Sequence, residues 1–432
     1  MYIIPINYHF RVSLFVPMLA MSLAACQPTI HLMRPPVSVD AEYDPYQLTP
    51  QEFRTGSIRM AYATNRKSGE PGSSDHYVRQ FDQDLRFGLA FVQIATGEES
   101  WDQIIEWSTN SDRQERIPLS LTGVERRGLL PHTSSIDELS PDLQRTFNGI
   151  NDYIKQNPIK DITVYVHGAN ANFYRAAAQA AQYRHFSGRT DLMMFYAWPT
   201  GENFLRYSTD LRNVQATVPV FARFIRLLSK HTIAERINIL AYSAGAQLAT
   251  DALAFLGSDT EEVDRKIYRD KLRLGSIYLV GGDVELGGYT QSLRQFVDLT
   301  ENVTITINEQ DFVLKLSKWF SRKSRAGSPD IEELDEEMID WSVALSRTDD
   351  YDVIYIDPGV IPDVGVRSHD YWYTSSWVSS DALLLLNFRA MPLERGLEPL
   401  TTDSGYEIWT FPPDYNKRIA TSLEQLVFPK QD

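Results

Sequence analysis

The sequence predicts an α/β fold with a mostly parallel central sheet and helices on both of its faces. From about residue 140 onwards, short apolar segments with few charges alternate with segments of helical periodicity. This alternation is typical of strands that are buried on both faces of a parallel sheet. Two extra N-terminal strands are predicted ahead of it, at residues 57–65 and 85–95. Because ligands of such sheets bind beyond the carboxyl ends of the strands, we expect functional residues directly after predicted strands.

The alternation can be followed element by element. The first helix is predicted to begin at Ser140 and Pro141, since serine is a favoured N-cap and proline fits the first helical position. The later strands, all short and mainly apolar, are predicted at 161–168, 192–198, 236–242, 274–282, 302–308 and 352–357. The later helices are predicted at 172–186, 210–231, 245–257, 289–299 and 379–388, with Pro219 as a kink or break in the second of these.

The N-terminus has the features of a signal peptide. Arg11 precedes an apolar run, residues 12–25, that is shorter than the ~20 residues a membrane-spanning helix needs. The run ends in LAAC, and Cys26 is the only cysteine of the chain. This ending resembles the lipobox of bacterial lipoproteins, which implies that Cys26 is lipidated and becomes the first residue of the mature protein. An ordinary signal peptide with a chance cysteine is the alternative.

The N-terminus and the charge together predict the location and the partners. Lipid chains on Cys26 would anchor the protein in the cell envelope, facing the periplasm, without a membrane-spanning segment. Gln27 stands where an aspartate would indicate the inner membrane, so by analogy we expect the outer membrane. The net charge of −15 argues against nucleic acid as a partner, because the phosphate backbone is bound by Lys and Arg.

The chain divides into five predicted regions. Residues 1–25 are interpreted as the signal peptide, and the proline-rich residues 26–55 as a tether between the lipid and the folded part. We expect residues 56–135 to form strands and loops that extend the sheet. Residues 136–390 are predicted to form the core, and residues 391–432 a C-terminal extension packed on that core.

The segment AYSAG, residues 241–245, joins a predicted strand to a predicted helix and contains a candidate nucleophile. A serine nucleophile in this architecture lies on a tight strand-to-helix turn, so the residues two before and two after it must be small. Ala241 and Gly245 meet this requirement. The N-terminus of the following helix favours a developing negative charge beside Ser243. For this segment alone, a purely structural junction is the alternative.

A histidine and an aspartate are expected to complete the site. Where a serine occupies such a turn, the acid and then the histidine follow it along the chain. His369 is the only histidine after Ser243, and it lies in a loop after a predicted strand. Asp311 and Asp283 both follow predicted strands in the interval between them. We favour Asp311 as the acid and keep Asp283 as the alternative.

Backbone N–H groups are expected to form an oxyanion hole. One such group must follow an earlier strand and the other must follow the nucleophile. The N–H groups of Ala169, after His167 and Gly168, and of Ala244 have these positions. His167 precedes the serine, and we expect it to brace the loop rather than to act as the base.

Several segments resemble a bacterial α/β-hydrolase family of unknown function. VYVHGANANF, MMFYAWPTGENFLRYSTD and INILAYSAGAQL are similar to the family pattern, which runs roughly HGYN, then WPS, then HSMG. MAYATNR followed by LRFGLAFVQI resembles the strand pair that this family carries ahead of its core. The resemblance covers about residues 57–390. It implies the α/β-hydrolase fold and a triad of Ser243, Asp311 and His369.

Two positions depart from the family pattern. Tyr242 stands where the family usually has His, and Ala169 where it often has Tyr. Both positions are expected to line the site, so the family pattern does not define the substrate.

The sequence therefore predicts a serine hydrolase that acts on a small-molecule or lipid acyl substrate, with no metal and no cofactor. Ser243 would attack an ester or related acyl carbon, His369 would take its proton, and Asp311 would orient His369. Esterase, thioesterase and peptidase activity are not separated by the sequence. The alternative from another class is a non-catalytic envelope lipoprotein that uses the same fold for binding or scaffolding.

Overall fold

The computed structural model describes residues 29–40, 44–70, 76–201, 207–258, 265–321, 323–365 and 369–427. The predicted signal peptide and Cys26 lie outside these residues.

The described residues build an 11-stranded sheet. Its strands are β1 (Ser57–Ser68), β2 (Tyr77–Ile94), β3 (Leu119–Leu130), β4 (Ile162–Val166), β5 (Leu192–Ala197), β6 (Ile237–Tyr242), β7 (Leu274–Val280), β8 (Asn302–Ile307), β9 (Tyr351–Tyr355), β10 (Glu398–Thr401) and β11 (Glu407–Thr410). Across the sheet they follow the order β10-β11-β9-β8-β7-β6-β4-β5-β1-β2-β3. Every neighbouring pair from β11 to β1 is parallel, whereas β10, β2 and β3 pair antiparallel at the two edges. The prediction of a mostly parallel sheet with extra N-terminal strands is confirmed.

One short helix precedes the first strand, and the others lie between the strands or beyond the last one. The helices are α1 (Val37–Asp40), α2 (Trp101–Thr109), α3 (Pro141–Gln156), α4 (Phe173–Phe186), α5 (Tyr207–His231), α6 (Ala244–Ser258), α7 (Arg265–Leu272), α8 (Leu286–Phe296), α9 (Phe312–Ser321), α10 (Glu336–Leu345), α11 (Tyr371–Thr374), α12 (Ser376–Phe388) and α13 (Tyr415–Val427). The Ser140 hydroxyl caps α3 by accepting from the Leu143 N–H at 3.4 Å. Pro219 lies inside α5 and does not end it.

Two cores cover the two faces of the sheet. Residues of α3, α5, α6 and α8 fill one core, and residues of α4, α12 and α13 fill the other. Successive side chains of a strand point to opposite faces. Thus Ile239 and Ala241 of β6 enter the first core, while Leu240 enters the second. Burial on both faces explains why the central strands are nearly continuous apolar runs.

The predicted tether is wrong for its described part, because residues 29–40 and 44–55 pack against the second core. Ile30, Leu32, Met33 and Val39 are buried there. The Leu32 N–H donates to the Ile117 carbonyl at 2.7 Å, and the Leu119 N–H donates to the Ile30 carbonyl at 2.8 Å. Prolines and the lack of periodicity led to the tether prediction. However, an extended segment can bury isolated apolar side chains even when its sequence has neither the helical nor the strand periodicity.

The two ends of the sheet also extend beyond the prediction. β3 is an additional edge strand that carries three consecutive charged residues, 125–127, and has only its two end residues buried. At the other edge, β11 pairs in parallel with β9, so the C-terminal extension adds strands to the sheet as well as packing on it. The loop between the first two strands is shorter than predicted, since Ser68 of β1 still pairs with Tyr77 of β2.

Among the described residues, none of the helices combines the length and the apolar character needed to cross a membrane.

Candidate active site

Ser243 occupies the turn between β6 and α6. Its φ of +55° is in the left-handed region, which a non-glycine residue enters only at a cost. Three backbone hydrogen bonds hold this conformation. The Ser243 N–H donates to the Val280 carbonyl at 2.9 Å, and the Ser243 carbonyl accepts from Ala246 at 2.9 Å and from Asp283 at 3.3 Å. The strained turn is thus fixed to the end of β7 and to the start of α6.

Small residues around Ser243 let three segments meet closely. A Cβ on Gly245 would lie 2.4 Å from the His167 carbonyl oxygen, so no larger residue fits without a backbone shift. A Cβ on Gly168 would lie 3.0 Å from the Ser243 Cβ. Ala241 is completely buried beneath the turn. The spacing of small residues that singled out this serine therefore has a steric cause in the structure.

His369 bridges Ser243 and Asp311. Its Nε2 lies 2.8 Å from the Ser243 Oγ, and its Nδ1 lies 2.6 Å from the Asp311 Oδ2. With a carboxylate at Nδ1, the neutral imidazole carries its proton there, and Nε2 is left to accept the serine hydroxyl proton. The structure thus brings together the three residues that the sequence singled out.

The carboxylate of Asp311 is held from both sides. Its Oδ1 accepts from the Val313 N–H at 2.9 Å and from the Leu314 N–H at 3.1 Å, at the start of α9. This contact fixes the carboxylate and leaves Oδ2 directed at His369. Asp311 has no exposed surface, so no solvent competes for the imidazole.

Asp283, the alternative acid, has a different environment. Its Oδ1 lies 3.1 Å from the Arg325 Nε, and the Ser317 hydroxyl donates to the same oxygen at 2.9 Å. Its side chain is 1% exposed and that of Arg325 is 7% exposed, so this is a buried ion pair. Asp283 contacts the turn through its backbone N–H, while its carboxylate pairs with Arg325.

The family comparison agrees with this geometry. Residues 144–347 match the model of a family described as alpha/beta hydrolase of unknown function (DUF900). The chain carries an α/β-hydrolase domain. The matched range includes Ser243 and Asp311 and ends before His369. The resemblance seen in the sequence is thereby confirmed at the level of the fold family.

Other comparisons add little. Two solved structures that resemble this hydrolase are inhibited forms of esterase B from Lactobacillus rhamnosis. One is 12% identical, with a TM-score of 0.30, and the likeness covers 50% of this chain and 71% of that one. The other is 15% identical, also with a TM-score of 0.30, and the likeness covers 50% and 69%. Similarity this low carries no conclusion about the reaction. No curated protein matches the chain.

Tyr242, one of the departures from the hydrolase family pattern, packs on the catalytic candidate His369. The two ring centroids are 5.1 Å apart, and the tyrosine ring also packs on Trp372 with centroids 5.3 Å apart. Burial raises the pKa of Tyr242 well above its usual value, so its hydroxyl stays protonated. Gly281 also approaches the histidine closely, since a Cβ there would lie 3.2 Å from the His369 Cε1. The imidazole is therefore closely packed against both Tyr242 and the segment after β7.

The predicted oxyanion-hole residues lie beside the serine turn. Ala244 is the first residue of α6, and the N–H groups of a first helical turn have no partner within the helix. Ala169 directly follows Gly168, whose backbone abuts Ser243. The first turn of α6 also places the positive end of the helix dipole at the site.

A buried arginine that the sequence interpretation missed braces the loop containing Ala169. Arg66, at the end of the MAYATNR segment, has no exposed surface. Its Nε donates to the Trp198 carbonyl at 2.9 Å, and its Nη2 donates to the Ala171 carbonyl at 2.6 Å. The family resemblance marked this segment, but its role depends on contacts between residues more than 100 positions apart in the sequence.

His167 is a structural histidine in this loop. Its ring stacks on Trp198 with centroids 5.4 Å apart and planes 7° apart. Its Nδ1 lies 2.8 Å from the Gly168 carbonyl, and the Trp198 indole N–H donates to the His167 carbonyl at 2.6 Å. Burial, assisted by the charge of Arg66, lowers the pKa of His167 to about 3. The ring is therefore neutral at neutral pH and donates from Nδ1, which agrees with a bracing role.

Within the described parts of the chain, no group of three or more His, Cys, Asp or Glu side chains is arranged to hold a metal ion.

Proposed function

We propose that this α/β-hydrolase is a serine hydrolase that cleaves an ester or related acyl bond. Ser243 attacks the acyl carbon, and His369 takes the hydroxyl proton at Nε2. The N–H groups of Ala169 and Ala244 stabilise the oxyanion of the tetrahedral intermediate. Asp311 holds the imidazole in the required tautomer and stabilises the imidazolium that forms.

The rest of the reaction follows from the same groups. Collapse of the intermediate breaks the bond to the leaving group, which receives the proton from His369 and departs as an alcohol. Water then attacks the acyl–Ser243 ester while His369 takes its proton. Breakdown of the second intermediate releases the carboxylic acid and returns the proton to Ser243.

The observation that carries the proposal is the continuous hydrogen-bonded series from Ser243 through His369 to Asp311. It coincides with a left-handed Ser243 backbone at a helix N-terminus. A structural junction between a strand and a helix requires neither the imidazole nor the buried carboxylate. Strain retained at the serine also favours a functional role, because strain of this kind clusters at active sites.

The proposal is tested with a fluorophosphonate probe, which labels only an activated serine. The wild-type protein should be labelled at Ser243, and Ser243→Ala should not be labelled. Ser258→Ala, which changes an exposed serine at the far end of α6, is the matched control and should be labelled normally. If Ser243→Ala were labelled as strongly as the wild-type protein, Ser243 would not be the nucleophile.

The cooperation of Ser243 and His369 is tested with a small ester. Ser243→Ala and His369→Ala should each abolish turnover, and the double variant should be little worse than either, because residues that act as a unit are strongly non-additive. Losses that multiply between the two positions would contradict a shared proton transfer.

We further propose that the enzyme acts at the cell envelope, anchored by lipid on Cys26 and facing the periplasm, at the outer rather than the inner membrane. The support is the LAAC ending of the apolar N-terminal run. Fatty-acid labelling of the expressed protein should be lost in Cys26→Ser, and normal labelling of that variant would rule out the anchor.

A further inference from the structure

A cavity of about 240 Å³ lies away from the candidate active site. It opens to the surface and is bounded by β1, β2 and β5 of the sheet and by α3 and α4. The strand ends that carry Ser243, Asp311 and His369 do not contribute to it. Its volume is somewhat below the range of about 300–1,000 Å³ that is typical of drug-sized ligand pockets, which suits a small ligand.

The cavity combines an apolar interior with a cationic lining. The apolar part includes Phe87, Ile150, Leu192 and Met194. Four arginines also line it: Arg59, Arg127, Arg145 and Arg184. This lining is unusual in a protein with a net charge of −15, where acidic residues outnumber basic ones.

Two of these arginines are held by aromatic rings. The guanidinium carbon of Arg59 lies 5.1 Å from the Phe53 ring centroid, and that of Arg184 lies 5.6 Å from the same centroid. Arg184 also lies 5.4 Å from the Tyr153 ring centroid. Such contacts stabilise a cation and orient its planar head without neutralising its charge.

The positive charge is only partly compensated by carboxylates. Arg127 pairs with Glu125, and Arg145 pairs with Asp142. Arg59 forms no ion pair among the described residues. Partial burial lowers the pKa of Arg59, the neighbouring charges of Arg184 and Arg127 add to this effect, and Tyr153 and Glu52 oppose it.

Arg184 has an unused donor in this region. It is 3% exposed, and its Nε has no hydrogen-bond partner in the described part of the chain. Its two other nitrogens donate to the Arg59 carbonyl and, at 2.9 Å, to the Tyr153 hydroxyl. Asp191 is close enough for the charge of Arg184 to lower its pKa, although burial raises that pKa overall, to about 6. Because the Arg184 Nε is enclosed by protein atoms, it adds positive charge to the wall of the cavity rather than a donor to its interior.

We propose that this cavity is a second binding site, which takes a small amphiphilic anion. The carboxylate or phosphate head contacts Arg59 and Arg184, and a short apolar tail lies against Phe87, Ile150 and Met194. The site does not depend on the proposed catalytic function, since it shares none of the candidate catalytic residues.

Titration calorimetry of the full chain with two probes, hexanoate and hexyl phosphate, tests the proposal and distinguishes the two head groups. At least one probe should bind saturably. Inorganic phosphate and hexanol, which lack the tail and the charge respectively, should bind at least tenfold more weakly. The proposal would be overturned if neither probe bound saturably, or if inorganic phosphate or hexanol bound as tightly as the probes.

Two variants localise the binding. Arg59→Ala removes a partly exposed cation, and Gly149→Leu fills the cavity from α3, where a Cβ would meet no atom within 4 Å. Both should weaken binding at least tenfold without lowering the melting temperature. Arg79→Ala, which removes an exposed arginine of β2 outside the cavity, is the control and should bind normally. Unchanged binding in Arg59→Ala, or the same loss in Arg79→Ala, would assign the ligand to another site.

Discussion

At the scale of single residues, two aspartates near the serine turn are distinguished by their partners. Asp311 contacts an imidazole and two helix N–H groups, whereas Asp283 contacts Arg325 and Ser317. Both are almost completely buried. The first environment orients a base, and the second neutralises a charge within the fold. We therefore expect substitution of Asp311 to lower catalytic turnover and substitution of Asp283 to lower the stability of the fold.

We predict that Asp311→Asn lowers ester turnover by roughly four orders of magnitude, because the imidazole loses its orienting carboxylate and its favoured tautomer. The melting temperature should change little, since an asparagine oxygen can still cap α9. Asp283→Asn should instead lower the free energy of unfolding by about 3–5 kcal/mol, the cost of leaving one partner of a buried ion pair alone.

Turnover and thermal melting of both variants check this prediction. Activity per folded molecule should survive in Asp283→Asn. If Asp283→Asn is inactive and Asp311→Asn is active while both fold, the acid has been assigned to the wrong residue.

At the scale of elements, the unit formed by β6, the serine turn and α6 is a close-packed junction. Gly245 is the point of closest approach, because its backbone lies against the carbonyl groups of Val166 and His167. This close approach sets where α6 starts relative to β4, and Ser243 directly precedes α6. Packing at the junction therefore controls the position of the nucleophile.

We predict that Gly245→Ala destabilises the protein by about 1–3 kcal/mol, the usual cost of overpacking, and also lowers ester turnover by displacing Ser243. Gly149→Ala is the matched control, because its added Cβ meets open space within a helix. It should stabilise the protein by about 0.5–1 kcal/mol and leave turnover unchanged. Urea unfolding and ester assays measure both quantities, and a Gly245→Ala variant with wild-type stability and turnover would contradict this account.

Local patterns were sufficient to predict the elements that build the centre of the sheet. β4 to β8 are short apolar runs because both of their faces are buried, and α3 has a serine cap and an apolar stripe. β3 was missed because its exposed, charged residues resemble a loop when its pairing partner is unknown. The candidate site was predictable because its order along the chain and its small residues are constrained by sterics. The role of Arg66 was not, since only tertiary folding brings it to residues 171 and 198.

At the scale of the whole molecule, segments from both ends of the described chain complete the second core. Residues of α12 and α13 join buried residues of the N-terminal segment, such as Val39 and Tyr46. Tyr46 contacts His185 of α4 and Trp101 of α2, with ring centroids 5.1 and 5.8 Å apart. The N-terminal segment thus holds together helices that are distant in the sequence.

We predict that residues 29–40 contribute to stability rather than serving as a loose tether. Each fully buried aliphatic side chain among Ile30, Leu32, Met33 and Val39 contributes about 1.5–3 kcal/mol before the entropy of ordering the segment is subtracted. A protein that lacks residues 1–28 should melt like the full chain, whereas one that lacks residues 1–40 should melt several degrees lower. Both truncated proteins keep β4 to β9. Below the thermal unfolding transition, their ester turnover per folded molecule should therefore be the same. Identical melting temperatures for the two truncated proteins would show that the packed segment adds no net stability. Residues 29–40 would then act as a tether as far as the free energy of unfolding is concerned.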